Sequence, residues 1–187
     1  MYRNINNLGV IREFSIEKSL PSEIAYASLK TDGVICLRNA HDRNWLDLIE
    51  NGIESAVSGL SEDIDVVKKN NDSGAFTFSS QAWRQVKPFE EAIFLSRAPD
   101  IAWSLLKSKS LVLFYDFLLI KEAEAGSADT PWHQDHSYYP LHGAGVINCW
   151  TALDHIPLET SLRFWRGSQQ QSQLYKAANF SGNSSYK

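Results

Sequence analysis

The sequence predicts an α+β protein in which helices come first and strands follow. Two observations carry this. Apolar residues recur at helical spacing in the first half of the chain, and the texture changes at Ser110 to a run of strand formers. The composition of the 187 residues, 43% hydrophobic and 21% charged, is that of an ordinary folded domain. A 12% aromatic share with six Trp supplies the apolar surface that disordered chains lack. A single domain over residues 1–187 is expected.

Ser22 is placed to cap a helix from Glu23 to Lys30, with Gly33 just past its end. Gly33 to Arg38 reads as a short strand. From Asn44 to Leu60, Trp45, Leu48, Ile49, Ile53, Val57 and Leu60 form one apolar helical face, with Gly52 inside it. Ser61 to Gly74 is polar and charged and reads as a loop. Phe89–Arg97 and Asp100–Lys107 read as two short helices, Pro99 marking the start of the second. Leu111 to Lys121 is rich in strand formers, Glu122 to Pro131 reads as a loop, and Gly145–Leu153 and Ser161–Arg166 read as further strands. Trp45, Trp83 and Trp103 are expected to pack in or beside the core. From Gly167 onward the chain is dominated by Ser, Gln, Asn and Gly, a composition poor at forming a core.

The formal net charge is −4 and there is no Lys/Arg block, which argues against nucleic acid or an anionic membrane as partner. Met1 to Phe14 holds Arg3, Arg12 and Glu13 and no apolar run, unlike a secretory signal. The most apolar stretch, Leu111 to Ile120, contains Asp116 and falls short of the roughly 20 residues a bilayer span needs. Cys36 and Cys149 lack metal-ligand spacing and read as small buried thiols. A soluble, cytoplasmic protein is expected, acting on a small molecule.

The informative stretch is Thr130-Pro-Trp-His-Gln-Asp-His-Ser-Tyr-Tyr-Pro140. On a strand, residues two apart share a face, so His133 and Asp135 would stand side by side while Gln134 and His136 face away. One imidazole nitrogen beside one carboxylate oxygen suits a divalent transition metal, as in the two-His, one-carboxylate site of non-haem Fe(II) oxygenases. Trp132 and Tyr138-Tyr139 surround the pair with aromatic bulk, where an ionised carboxylate needs a partner.

The order Asp32-Gly-Val-Ile, Ala98-Pro-Asp-Ile-Ala, Lys121, Thr130-Pro-Trp-His-Gln-Asp, Trp150-Thr-Ala-Leu-Asp154, Leu162-Arg-Phe and Arg166-Gly-Ser168 resembles the phytanoyl-CoA dioxygenase family, over about Ser22 to Ser168. The resemblance implies a double-stranded β-helix (jelly-roll, cupin-like) core with helices outside it. It implies Fe(II) as cofactor and 2-oxoglutarate as cosubstrate, with hydroxylation of a small organic substrate and release of succinate and CO2. His133 and Asp135 would be iron ligands and catalytic residues. Lys121, Phe117 and Trp150 fall where the family lines its 2-oxoglutarate pocket. Asp135 in place of a small residue favours hydroxylation over halogenation, which needs that ligand position vacant.

The chain also departs from that pattern. The family's third ligand is a distal His, followed by an Arg that holds the 2-oxoglutarate carboxylate. The five His here are His41, His133, His136, His142 and His155, and the only Arg residues after Asp135 are Arg163 and Arg166. Gln169 stands where the family usually has a His after Gly-Ser. A jelly roll takes about eight strands, and the residues after Trp132 supply about three. The barrel is therefore expected to be incomplete, its C-terminal part missing. Two other readings compete with the hydroxylase: a non-catalytic or truncated domain that binds metal weakly through His133 and Asp135, and a zinc hydrolase, which would need a third protein ligand. His136 is expected to make an ordinary hydrogen bond, and His142 and His155 are the alternative third ligands.

Overall fold

The computed structural model describes residues 10–58, 69–71, 74–121, 130–141, 143 and 145–177. Two compact units are formed, one from Met1–His41, Asp100–Ser110 and Trp132–Lys187, the other from Asp42–Pro99 and Leu111–Pro131. Most of the loops expected at Ser61–Gly74 and Glu122–Pro131, together with His142 and the end of the tail, lie outside the described residues.

The first unit begins with strand β1 (Glu13–Ser15), helix α1 (Glu23–Asp32) and strand β2 (Cys36–Arg38). The strands pair in parallel, Glu13 opposite Cys36 and Ser15 opposite Arg38, so the connection between them must cross over, and α1 makes that crossing. Helix α1 starts as its sequence predicts: the Ser22 hydroxyl accepts from the Ala25 N–H at 3.2 Å. It ends at Gly33, whose φ of +82° closes the helix while its N–H donates to the Leu29 carbonyl at 2.8 Å. Ile16, Ile101 and Leu105 are the buried centre of this unit, with Tyr26, Leu29, Ile35, Leu37 and Ile147 packed around them. Ile101 and Leu105 come from α4 (Ala98–Leu106), four residues apart on one helical face.

The later part of the chain is tied to the end of α1 by polar contacts. The Arg166 guanidinium donates to both oxygens of Asp32, at 2.8 and 3.0 Å, and Arg12 stands 3.2 Å from the same carboxylate. These cations hold the Asp32 carboxyl below its ordinary pKa, the hydrogen bonds from Arg166 contributing most, although burial pushes the other way. The Gly167 N–H donates to the Asp32 carbonyl, and the side chains of Gln169 and Gln170 donate to the carbonyls of Lys30 and Thr31. The last carbonyls of a helix have no partner within it, and here the Gly-Ser-Gln-Gln segment supplies donors. This stretch is poor at forming a core by composition, and its glycine and glutamines serve as helix-capping groups.

The second unit holds α2 (Arg43–Val57), β3 (Lys69–Asn71), β4 (Gly74–Ser80), α3 (Lys87–Phe94) and β5 (Phe117–Lys121). Asp42 caps α2, its carboxylate accepting from the Trp45 N–H at 2.9 Å. Ala56, Ala82, Val86 and Phe89 are buried together, with Ile49, Ile53, Trp83 and Leu118 against them. Gly52 lies within α2 because a side chain there would run into the Phe89 ring of α3. The Trp45 indole N–H donates to the Ala92 carbonyl at 2.8 Å and ties the same two helices. Strands β3, β4 and β5 form an antiparallel sheet in that order, with Phe76 opposite Lys121 and Ser80 opposite Phe117.

Several expectations are corrected. Residues 69–71 and 74–80 are strands although their sequence read as loop or was not assigned, because β3 pairs with β4 and β4 with β5. Leu111 to Asp116 is irregular and only Phe117–Lys121 is a strand. Among the described residues, Gly145–Leu153 and Ser161–Arg166 form no strand, since their strand-forming side chains find no neighbouring ladder. The α+β class holds, but the described strands make sheets of two and three strands and no double-stranded β-helix. Trp103 is exposed on α4 and Cys149 is exposed, while Cys36, Trp45 and Trp83 are half-buried. Burial raises the Cys36 thiol pKa.

Candidate metal and cosubstrate site

Trp132 to Tyr139 is not a strand. Gln134 has extended backbone, and Asp135–Tyr138 then tightens into a 3-10 turn, closed by Ser137 N–H to Gln134 carbonyl (3.0 Å) and Tyr139 N–H to His136 carbonyl (3.2 Å). No side chain caps this turn: the Asp135 and Ser137 side chains bond instead to Asn148 and Tyr175, 13 and 38 residues away. The adjacency expected of a strand survives by another route. His133 Nε2 lies 3.2 Å from Asp135 Oδ1, the imidazole 28% and the carboxylate 52% exposed.

Tyr138 and Asn148 hold this pair, and its neighbours in the chain anchor the turn. The Tyr138 ring meets the His133 imidazole edge to face at 5.7 Å between centroids. Asn148 donates one carboxamide N–H to Asp135 Oδ2 and stands 3.0 Å from the Tyr139 hydroxyl, which donates in turn to Asn148 Oδ1 at 3.3 Å. The Gln134 carboxamide turns to the chain's later part, accepting from the Tyr175 N–H at 2.8 Å and donating to the Gln173 carbonyl at 3.1 Å. Ser137 donates to the Tyr175 carbonyl at 2.6 Å. The His-Gln-Asp stretch thus alternates in use, with His133 and Asp135 on one set of contacts and Gln134 on another. His136 makes the ordinary bond expected of it, to the Leu141 carbonyl at 3.1 Å.

A profile of the family described as phytanoyl-CoA dioxygenase (PhyH) matches residues 29–186. The chain belongs to the phytanoyl-CoA dioxygenase family. Its members are typically non-haem Fe(II)/2-oxoglutarate-dependent oxygenases. Neither the curated proteins nor the solved structures compared with the chain give a match. The matched range contains every residue singled out from sequence: Phe117, Lys121, His133, Asp135 and Trp150.

The structure brings His133 and Asp135 together. Trp150 belongs to the same unit, is half exposed (53%), and lies two residues beyond Asn148. Phe117 and Lys121 begin and end β5 in the other unit. Phe117 is exposed and its ring meets that of Tyr115 at 4.5 Å. Of the two Arg residues downstream, Arg166 is engaged with Asp32, and Gln169 is bonded to the end of α1. No group of three or more His, Cys, Asp or Glu able to hold a metal occurs among the described residues.

The donors present suit Fe(II) chemically: one imidazole nitrogen and one carboxylate oxygen. Two cis ligands at bonds of about 2.1 Å stand about 3 Å apart, close to the 3.2 Å observed. Sequence reasoning missed Asn148 and read Tyr139 only as aromatic bulk. The signal was present, since Asn148 is a polar residue inside the apolar run Val146-Ile-Asn-Cys-Trp150.

Proposed function

We propose that this chain is an Fe(II)/2-oxoglutarate-dependent hydroxylase of a small organic substrate. Membership of the family supports this, and the observation that carries it is the His133–Asp135 pair at 3.2 Å, set in the Trp-His-Gln-Asp stretch. In this reading His133 Nε2 and Asp135 Oδ1 hold the metal. When bound, Fe(II) with 2-oxoglutarate and O2 supplies the oxidative decarboxylation that yields succinate, CO2 and a hydroxylated substrate. The protein's own part is positional. Tyr138 steadies the imidazole plane, the Asp135–Tyr138 turn returns the carboxylate to the imidazole, and Gln134 and Ser137 anchor the turn to residues 173–175. The family resemblance, and no contact in the structure, is the ground for assigning Lys121, Phe117 and Trp150 to 2-oxoglutarate.

The test is succinate release from 2-oxoglutarate with added Fe(II) by the full chain, beside Mn(II) binding measured calorimetrically. The expected result is turnover and metal binding, both lost in His133→Ala and Asp135→Ala. Metal binding that ignores both substitutions overturns the assignment.

The engagement of Arg166 with Asp32 favours a second reading. Here the domain holds metal weakly through two ligands and does not turn over. It expects weak Mn(II) binding that is His133-dependent, with no succinate formed.

A further inference from the structure

We propose that Asn148 is a positioning residue for Asp135 that decides which carboxylate oxygen is offered to the metal. The inference rests on the metal role of His133 and Asp135 and adds to it. A carboxylate has two equivalent oxygens and binds a cation through one or through both. Binding through both occupies two coordination positions; binding through one leaves a further position for a cosubstrate or oxygen. In this structure the two oxygens of Asp135 are made unequal. Oδ1 faces His133 Nε2 at 3.2 Å, and Oδ2 accepts from the Asn148 carboxamide.

Asn148 is itself held. Its Nδ2 and Oδ1 lie 3.0 and 3.3 Å from the Tyr139 hydroxyl, which holds the amide group in place beside the carboxylate. The amide orientation follows from chemistry, because turning its oxygen toward Asp135 would set it against an anion. Tyr139 lies one residue past the turn that carries Asp135, so the network closes on the element it orients. Outer partners of this kind fix a ligand's orientation, and their loss typically costs about 10–100-fold in metal affinity.

The experiment uses the full chain and two probes, Mn(II) titrated by loss of its free EPR signal and Co(II) followed by its visible d–d spectrum at saturation. In Asn148→Leu, Mn(II) affinity is expected to fall about 10-fold or more, with an altered Co(II) spectrum and an unchanged melting temperature of the metal-free chain. Tyr139→Phe keeps the bond to Asp135 and is expected to cost about 3-fold, below the range for losing the partner itself. If Asn148→Leu lowers the metal-free melting temperature, Asn148→Ser, which is polar but too short to reach, is read in its place. Wild-type affinity and an unchanged Co(II) spectrum in both Asn148 variants, with binding still dependent on His133, overturn this proposal alone. Failure of the wild-type chain to bind Mn(II) through His133 overturns the metal role itself, and this proposal with it.

Discussion

Gly52 sits inside α2 opposite the ring of Phe89, and replacing it by Ala sets two effects of opposite sign against each other. In a helix interior Ala is favoured over Gly by about 1 kcal/mol, through lower backbone entropy in the unfolded chain. Against that, the added Cβ would overlap Cδ1 and Cε1 of Phe89. The ring has little room to move, since Phe89 is 5% exposed and shares a buried cluster with Ala56, Ala82 and Val86. Overpacking of a filled core costs about 1–3 kcal/mol, and an aromatic ring blocked on its far side belongs in the upper part of that range. The net expectation for Gly52→Ala is destabilisation by roughly 1–2 kcal/mol. Urea unfolding followed by far-UV circular dichroism measures it, and thermal melting should shift by roughly 2–4 °C per kcal/mol for a chain of this size. Phe89→Leu shortens the obstructing group, so adding Gly52→Ala in that background should cost about 1 kcal/mol less than in the wild type. A Gly52→Ala chain as stable as the wild type, or full additivity in the double variant, would refute the packing argument.

Two further predictions concern buried carboxylates of opposite tendency. Asp32 is held below its ordinary pKa by Arg166 and Arg12, so its stabilising contribution is present above pH 3.8 and is lost as the pH falls through the lowered folded value. Asp32→Asn should be less stable than wild type near neutrality, and the gap in urea midpoints should close only at strongly acid pH; a gap independent of pH refutes this. Asp116 has the reverse shift, raised mainly by burial, with the Trp83 N–H donating to Oδ2 at 3.2 Å and no hydrogen-bond partner for the buried Oδ1 among the described residues. Stability is therefore lost as the pH rises from 3.8 through its raised folded value. Asp116→Asn should gain stability relative to wild type across that interval, and a relative loss as the pH rises refutes the argument.

Much of this molecule was legible from local chemistry. The Ser22 cap and the Gly33 terminator follow from groups a few residues apart, and the apolar face of α2 follows from helical spacing, none of which needs a distant partner to be read. Gly52, which looked like a defect in a helix, is explained only by Phe89 on another helix. The strands were the least legible. Residues 74–80 became a strand because β5 pairs with them, and residues 145–153 did not, although their composition is more strand-like. A strand is defined by a partner, and sequence composition does not name the partner.

The same division runs through the site. His133, Asp135 and their aromatic flanks are covalent near-neighbours, so the sequence by itself determined that an imidazole and a carboxylate would meet. Their meeting through a turn instead of along a strand was decided by tertiary structure, as were the assignment of Oδ2 to Asn148, the pairing of Arg166 with Asp32 and the capping of α1 by Gln169. Asn148 lies 13 residues from Asp135, and Arg166 lies 134 from Asp32. Contacts at such separations are chosen by the packing of whole elements, which a local reading of the chain does not contain.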